Sequence, residues 1–286
     1  MPETTGGFAV MGVVNVTPDS FSDGGLYVDP GAAVAHGVDL EAEGAEILDI
    51  GGESTRPGAE PVDADAELGR VLPVIEGLRA HGVGARISID TSKAAVAGRA
   101  LDAGATLVND VTALRGDPAM AQLVAERGVD CCLMHMLGEP RTMQDDPRYD
   151  DVVSDVKAFL EERIAFAVAA GVAEDRILLD PGIGFGKTAE HNLELLARLD
   201  ELVALGRPVV IGTSRKSFLG RVTGRSVEDR LAATIATNVL AYERGARIFR
   251  VHDVAPVRDA LVIAGATVRR RWPTTPTKST TRTLTT

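Results

Sequence analysis

Short apolar runs recur along the chain at residues 8–14, 46–50, 85–89, 106–108, 130–134, 176–179, 208–211 and 247–251. Apolar residues in them are mostly continuous rather than alternating, the pattern of strands covered on both faces. Between the runs lie longer stretches with a 3.6-residue apolar period. One such stripe carries Val152, Val156, Phe159, Leu160, Arg163, Ile164 and Ala167. Eight strand-then-helix units predict a single-domain α/β protein folded as a (β/α)8 (TIM) barrel. An open doubly wound sheet is the alternative, and the unit count favours closure. Helix punctuation supports the division. Asp29-Pro30 pairs a capping side chain with a proline where its missing N–H is harmless. Gly44, Gly104, Gly171 and Gly245 each sit where a helix should stop and the chain turn into the next strand.

No gap between units looks like a linker, so residues 1–271 are expected to form one barrel domain of the chain's 286 residues. Residues 272–286 differ: eight of the fifteen are Thr, and a disordered tail is expected. Lys and Arg number 30 against 41 Asp and Glu, a formal charge of −11, which argues against nucleic-acid and anionic-membrane partners. Five basic and no acidic residues fall in 266–286, leaving −16 for the rest. The tail reads as a solvated terminus, with an acidic partner the lesser alternative. No apolar run approaches the roughly 20 residues that span a bilayer. The start of the chain lacks the charged-then-apolar pattern of a secretory signal. Cys131 and Cys132 are strand neighbours that point to opposite faces, so no mutual bridge is expected. They have no ligand-spaced partners for zinc. A soluble protein of the reducing cytoplasm is the expectation.

Barrel enzymes carry their chemistry at the C-terminal ends of the strands. Here those ends bear Asn15, Asp49 with Gly51 to Gly58 after it, Asp90, Asn109-Asp110, His135, Asp180, Gly212 to Ser217, and Arg250-Val251-His252-Asp253. Eight polar ends on one rim make a polar mouth over an apolar barrel. Arg56, Arg215, Lys216, Arg250 and His252 gather positive charge on an otherwise acidic protein, and phosphate or carboxylate is the natural counter-ion. Asp90, Asn109 and Asp180 supply acceptors for a flat ring with several N–H groups. Asp180, between Leu179 and Pro181, has a plainer reading as a carboxylate that caps the following turn.

Some signals fail on spacing. Residues 181–188 end like a phosphate-binding Walker loop, but Pro181 stands where its first glycine belongs. They also fail the dinucleotide-binding glycine pattern, because Lys187 takes the third glycine's place. His36, His81 and His191 fall on helical stretches and read as exposed-face residues. Loops 15–25 and 51–61 are long for strand-to-helix connections, and Gly24-Gly25 and Gly51-Gly52 offer hinges for lids.

Taken together, the segments resemble the dihydropteroate synthase family of pterin-binding barrels. The resemblance rests on Met11 to Gly25, Asp49 to Gly58, Ile87 to Thr91, Asn109 to Val111, Leu179 to Thr188, Thr213 to Ser217 and Arg250 to Asp253. These stretches run in family order from about residue 8 to 260, and the first two are the most specific.

The resemblance implies that a dihydropterin diphosphate condenses with 4-aminobenzoate, giving 7,8-dihydropteroate and diphosphate. It implies Mg²⁺, a pterin cation intermediate, and a homodimer formed through barrel helices. By resemblance, Asp90, Asn109, Val111, Met134, Asp180, Gly212 and Lys216 take the pterin. Asn15, Arg56, Arg250 and His252 take the diphosphate, with Asn15 the metal ligand. Phe21, Ser22, Thr55, Arg56, Pro57, Phe185, Lys216 and Ser217 take the aminobenzoate. Asp23, Lys216, Arg250 and His252 are the implied catalytic set, with Asp23 stabilising the charge that develops as diphosphate leaves. Ser217 is expected to begin a short helix whose N-terminus favours the benzoate carboxylate. Sulfonamides mimic aminobenzoate, so the residues around Phe21, Thr55, Pro57, Phe185 and Ser217 decide sensitivity; a sensitive and a resistant enzyme both remain open. A pterin-binding relative that moves a methyl group to a corrinoid is one competing reading. It has no need of Thr55-Arg56-Pro57 or of the basic set that would hold diphosphate. A non-catalytic pterin-binding scaffold is the other.

Overall fold

The computed structural model describes residues 7–17, 29–55 and 58–269. Among the described residues are eight parallel strands, β1 (Ala9–Asn15), β2 (Ile47–Gly51), β3 (Arg86–Asp90), β4 (Leu107–Asp110), β5 (Asp130–Met134), β6 (Ile177–Asp180), β7 (Val210–Ile211) and β8 (Ile248–Val251). Helices α1 (Pro30–Ala42), α2 (Ala64–Ala80), α3 (Ala94–Asp102), α4 (Met120–Arg127), α5 (Val152–Ala169), α6 (Ala189–Ala197), α7 (Leu199–Val203), α8 (Ser217–Thr223), α9 (Leu231–Glu243) and α10 (Val254–Arg269) lie between and after them. The strands are ordered β6-β5-β4-β3-β2-β1-β8-β7. Leu179 N–H donates to Pro208 O at 3.0 Å, and this bond joins β6 to the β7 segment and closes the barrel. The (β/α)8 expectation is met; the tail at 272–286 lies outside the described residues.

Several strands run one or two residues further than their apolar runs. Asn15, Gly51, Asp90, Asp110 and Asp180 are the last residues of their strands. The backbone ladder does not stop where side chains become polar. β7 is shorter than the run at 208–211, because Pro208 has no N–H to pair. Caps fall where the sequence places them: Asp29 accepts from Gly31 N at 2.8 Å with Pro30 opening α1. Gly44, Gly104, Gly171 and Gly245 take φ values of 102°, 114°, 99° and 105°, the left-handed conformation that lets the chain leave a helix.

Strand side chains alternate between faces, and in a barrel one face is the lumen. Ala9, Met11, Ile47, Leu107, Cys132, Leu178, Val210 and Ile248 form a lumen cluster. Their neighbours Val10, Leu48, Val108, Cys131, Ile177, Leu179, Ile211 and Phe249 belong to the larger core against the helices. Counting upward in twos from the lumen set reaches Asn15, Asp49, Asn109, Met134, Asp180, Gly212, Arg250 and His252. The same parity that packs the floor therefore points these side chains inward at the rim.

Burial silences both cysteines. Cys131 is pushed up to about 12 and Cys132 well above the usual thiol range, in each case first by desolvation. Phe249 is fully buried and meets Phe8 at 6.4 Å and Tyr242 at 6.3 Å between ring centroids. Phe249→Ala is expected to cost about 3–5 kcal/mol in urea unfolding. A loss under 1 kcal/mol would show that this sector is loosely packed.

Candidate active site

Parallel register sets the rim residues side by side: Gly51 pairs with Asp90, and Asp90 with Asn109. Arg250 pairs with Met11 on β1, so its side chain must reach past β1 to meet β2 and β3. It does. Nε donates to Asp49 Oδ2 at 2.6 Å and Nη2 donates to Asp90 Oδ2 at 2.8 Å. Asn109 Nδ2 donates to the same Asp49 oxygen at 3.0 Å. Four strands are thus linked by one hydrogen-bonded group. Burial and then Asp49 push Asp90 up to about 7, with Arg250 opposing. Burial works against the Arg250 charge, but Asp49 and Asp90 overcome it and hold its pKa above the ordinary value.

A second group faces it from β6 and the loop after β7. Asp180 is buried, and its Oδ1 accepts from Gly182 N at 2.7 Å. The capping role is therefore real, but it uses one oxygen; Oδ2 accepts from none of the described residues. Desolvation raises the Asp180 pKa, with Lys216 the largest opposing influence. Lys216 Nζ donates to Ile183 O and lies 4.5 Å from the centroid of the Phe185 ring. Burial brings the Lys216 pKa down to about 8, with Asp180 opposing. A Cβ built on Gly212 would lie 3.9 Å from Arg250 Cβ and 4.0 Å from Lys216 Nζ, so this glycine lies against the stem of Arg250 and the amine of Lys216.

His252 and Ser214 meet on the third side. The Ser214 hydroxyl lies 3.0 Å from His252 Nδ1 and accepts from the His252 backbone N–H at 3.1 Å. Val111 and Met134 form a small apolar cluster with Met136 and Met143, and Phe185 packs against it. Thr55 lines a cavity of about 200 Å³ that Val111 and Met136 also line. Asn15 is half-buried at the end of β1, and Ser217 is exposed as the first residue of α8. Asp23, Phe21, Ser22, Arg56 and Pro57 lie outside the described residues. Among the described residues no group of three or more His, Cys, Asp or Glu gathers to hold a metal.

Parity also sorts out rim residues that turn away. Asp110 accepts from Thr112 N at 2.8 Å and from Leu114 N at 2.9 Å, which shapes the loop after β4. Arg215 forks onto Asp253 with bonds of 3.0 and 2.5 Å and does not join the mouth's cations. His135 is buried against Phe159, with ring centroids 4.9 Å apart. Its Nδ1 meets Lys187 Nζ at 2.8 Å, and the same amine donates to Phe185 O at 3.0 Å. Burial pushes His135 down to about 2 and Lys187 far below its usual range. The pair stitches the end of β5 to the loop that carries Phe185. Gly182 permits that approach: a Cβ there would stand 1.8 Å from His135 O, at φ 66°. The rejected phosphate-loop pattern is thus a tight turn against β5.

The second loop is held at its base. Glu53 Oε1 accepts from Val62 N at 2.8 Å, and Lys93 bridges Glu53 and Glu67 at 2.7 and 2.6 Å. His191 is half-buried and completes a capping box with Thr188 rather than standing on an exposed face.

Sequence reasoning saw Asp49 but gave it no part, and missed the Lys187–His135 pair and the contact between Ser214 and His252. For Asp49 the signal was present, since it stands two residues below the rim on the lumen parity. The Lys187–His135 contact joins residues 52 apart and left no mark on local pattern.

A family model described as "Pterin binding enzyme" matches residues 11–252. A dihydropteroate synthase of Mycobacterium leprae is 50% identical over 90% of this chain and 92% of its own length. The Xanthomonas albilineans dihydropteroate synthase solved with 4-aminobenzoic acid superposes with a TM-score of 0.85 at 51% identity, covering 91% of this chain and 93% of that one. The same enzyme solved with 7,8-dihydropteroate gives a TM-score of 0.82 at 48% identity, again covering 91% and 93%.

The lowered Lys216 pKa has a definite sign. Between about 8 and the ordinary 10.5 the unfolded chain holds a proton that the folded chain has released. Stability from this group therefore rises with pH across that window, and its burial penalty is fully present below it. NMR titration of the Lys216 side-chain carbon, assigned by its loss in Lys216→Met, should show a midpoint near 8 in the ligand-free protein. A midpoint at the ordinary value would mean that the amine is solvated.

Proposed function

The chain belongs to the dihydropteroate synthase family of pterin-binding enzymes, and from that premise we propose how its barrel mouth performs the reaction. It is a transferase of folate biosynthesis that makes dihydropteroate. The C–O bond of 6-hydroxymethyl-7,8-dihydropterin diphosphate breaks, its electron pair leaves with diphosphate, and the amine of 4-aminobenzoate joins the methylene carbon and sheds a proton.

One observation supports this assignment of parts above the rest: Asp180, Asn109 and Asp90 come together with Lys216 and Arg250 in one mouth, where each acceptor lies beside a cation. Asp180 Oδ2 and Asn109 take ring N–H groups, while Asp180 Oδ1 stays on Gly182 N. A charged acceptor on a donor edge is the stronger kind of hydrogen bond. Lys216, between Asp180 and Phe185, donates to the ring carbonyl or N5. Gly212 leaves space for the ring beside Lys216, and Val111 and Met134 wall it. Asp90 contributes its carboxylate, already anchored by Arg250.

The leaving diphosphate meets Arg250 and His252. Arg250 Nη1 donates to none of the described residues, so it is the arm left for the anion. We assign the proton of the Ser214 hydroxyl to His252 Nδ1, the assignment that puts the ring proton on Nε2 as a donor toward the anion. Fixed donors aimed at developing charge are the main means by which such a site lowers a barrier. Mg²⁺ fits here: it keeps several waters and takes few protein ligands, and the described residues offer the Asn15 amide oxygen rather than a carboxylate cage. When bound, it would neutralise charge on the departing diphosphate. Thr55, Phe185, Lys216 and Ser217 face the aminobenzoate. Phe21, Ser22, Asp23, Arg56 and Pro57 keep the roles that the resemblance implies.

Two buried free cysteines support a cytoplasmic setting. Apolar residues exposed on adjacent helices, Leu240 at 44% and Ile263 at 65%, support a homodimer.

Diphosphate release, followed by a coupled assay, should require both substrates and Mg²⁺; release without aminobenzoate at the full rate would point to hydrolysis instead. Asp180→Ala should weaken dihydropterin binding by about 2–5 kcal/mol in calorimetry. Unchanged affinity would remove Asp180 from the ring site.

A further inference from the structure

Asp49 lies two residues below the mouth on β2 and is fully buried. The reaction described above gives it no contact with substrate. Its Oδ2 accepts from Asn109 Nδ2 at 3.0 Å and from Arg250 Nε at 2.6 Å. A carboxylate only accepts hydrogen bonds, so the end of the Asn109 amide that faces it must be the NH₂. An asparagine amide is planar and two-ended, and its neighbours decide which end goes where. Fixing Nδ2 on Asp49 turns Oδ1 away from it. Without Asp49, Asn109 could present either end to a ligand.

We infer that Asp49 is a positioning residue that sets the polarity of the ring-recognition surface, holding Asn109 as an acceptor toward the N–H edge of the pterin. The inference rests on the reading of Asn109 as a ring contact. Arg250 strengthens it. The guanidinium Nε–H demands an acceptor at the point where Asn109 also donates. Any residue at 49 that carries one acceptor oxygen is therefore steered to put it there. Asp49→Asn keeps the amide of Asn109 in place, since its carbonyl must meet both donors. Asp49→Ala removes the acceptor and frees the amide.

The test uses the dihydropterin alcohol without diphosphate, so that ring binding is read apart from the anion. Its Kd is measured by calorimetry on the folded full-length chain. Asp49→Ala should weaken binding tenfold or more, and Asp49→Asn should stay within threefold of the native protein. In an Asn109→Ala background, Asp49→Ala should add less than twofold, because the residue through which it acts is gone. Thermal unfolding of each variant checks the fold. If Asp49→Ala does not fold, Asp49→Leu, which fills the lumen, takes its place with the same expectations. The inference is overturned if Asp49→Asn loses as much as Asp49→Ala, if neither loses affinity, or if the full loss persists without Asn109. Native affinity in Asn109→Ala would instead overturn the ring contact itself, so the two failures are distinguishable.

Discussion

A guanidinium clasped between two buried carboxylates organises the mouth of this barrel. Arg250 reaches past β1 to Asp49 and Asp90, at 2.6 and 2.8 Å. None of the three would be tolerated alone at that depth, because an unpaired buried charge is strongly destabilising. Together they hold one another, and Asn109 joins through Asp49. Fixing the three side chains also fixes which groups remain for a ligand. Asp90 is crowded enough by burial and by Asp49 that its pKa climbs to about 7 even with Arg250 beside it. The arrangement thus holds a poised set of charges in place before any substrate arrives, which is how a site avoids reorganising during reaction.

The two-residue period of the strands decides which polar groups take part. Lumen parity brings in Asn15, Asp49, Asn109, Asp180, Gly212, Arg250 and His252. The opposite parity sends Asp110 to its loop and His135 to Phe159 and Lys187. The loop after β6 then depends on the buried contact between Lys187 and His135. That pair fixes Phe185 O, and Lys216 lies over the Phe185 ring. Structural support and substrate surface are therefore continuous on this side of the mouth.

Much of this was legible in the sequence. The eight apolar runs give the barrel, because strands covered on both faces cannot hide their continuous character. The polar residues that follow them give the rim, and their motifs give the family. Strand ends were less legible, since backbone pairing continues through polar residues such as Asn15 and Asp180 whose side chains break the apolar run. Arg215 could be counted with the mouth's cations until its fork onto Asp253 was seen. Asp49 looked like one more strand residue, because its meaning comes from partners 60 and 201 positions away. Contacts of that range are set by closure of the barrel and leave no local periodicity.

In the reaction we propose, the substrate's two halves correspond to two sets of side chains in the mouth, Asp180 and Asn109 for the ring and Arg250 and His252 for the departing anion, held across one breaking bond. A crystal structure of the chain with dihydropterin diphosphate and 4-aminobenzoate tests that correspondence most directly. The account predicts the N–H edge of the ring on Asp180 and Asn109, with the phosphates against Arg250 and His252. A ring bound with its N–H edge away from Asp180, or phosphates lying away from β8, would contradict it.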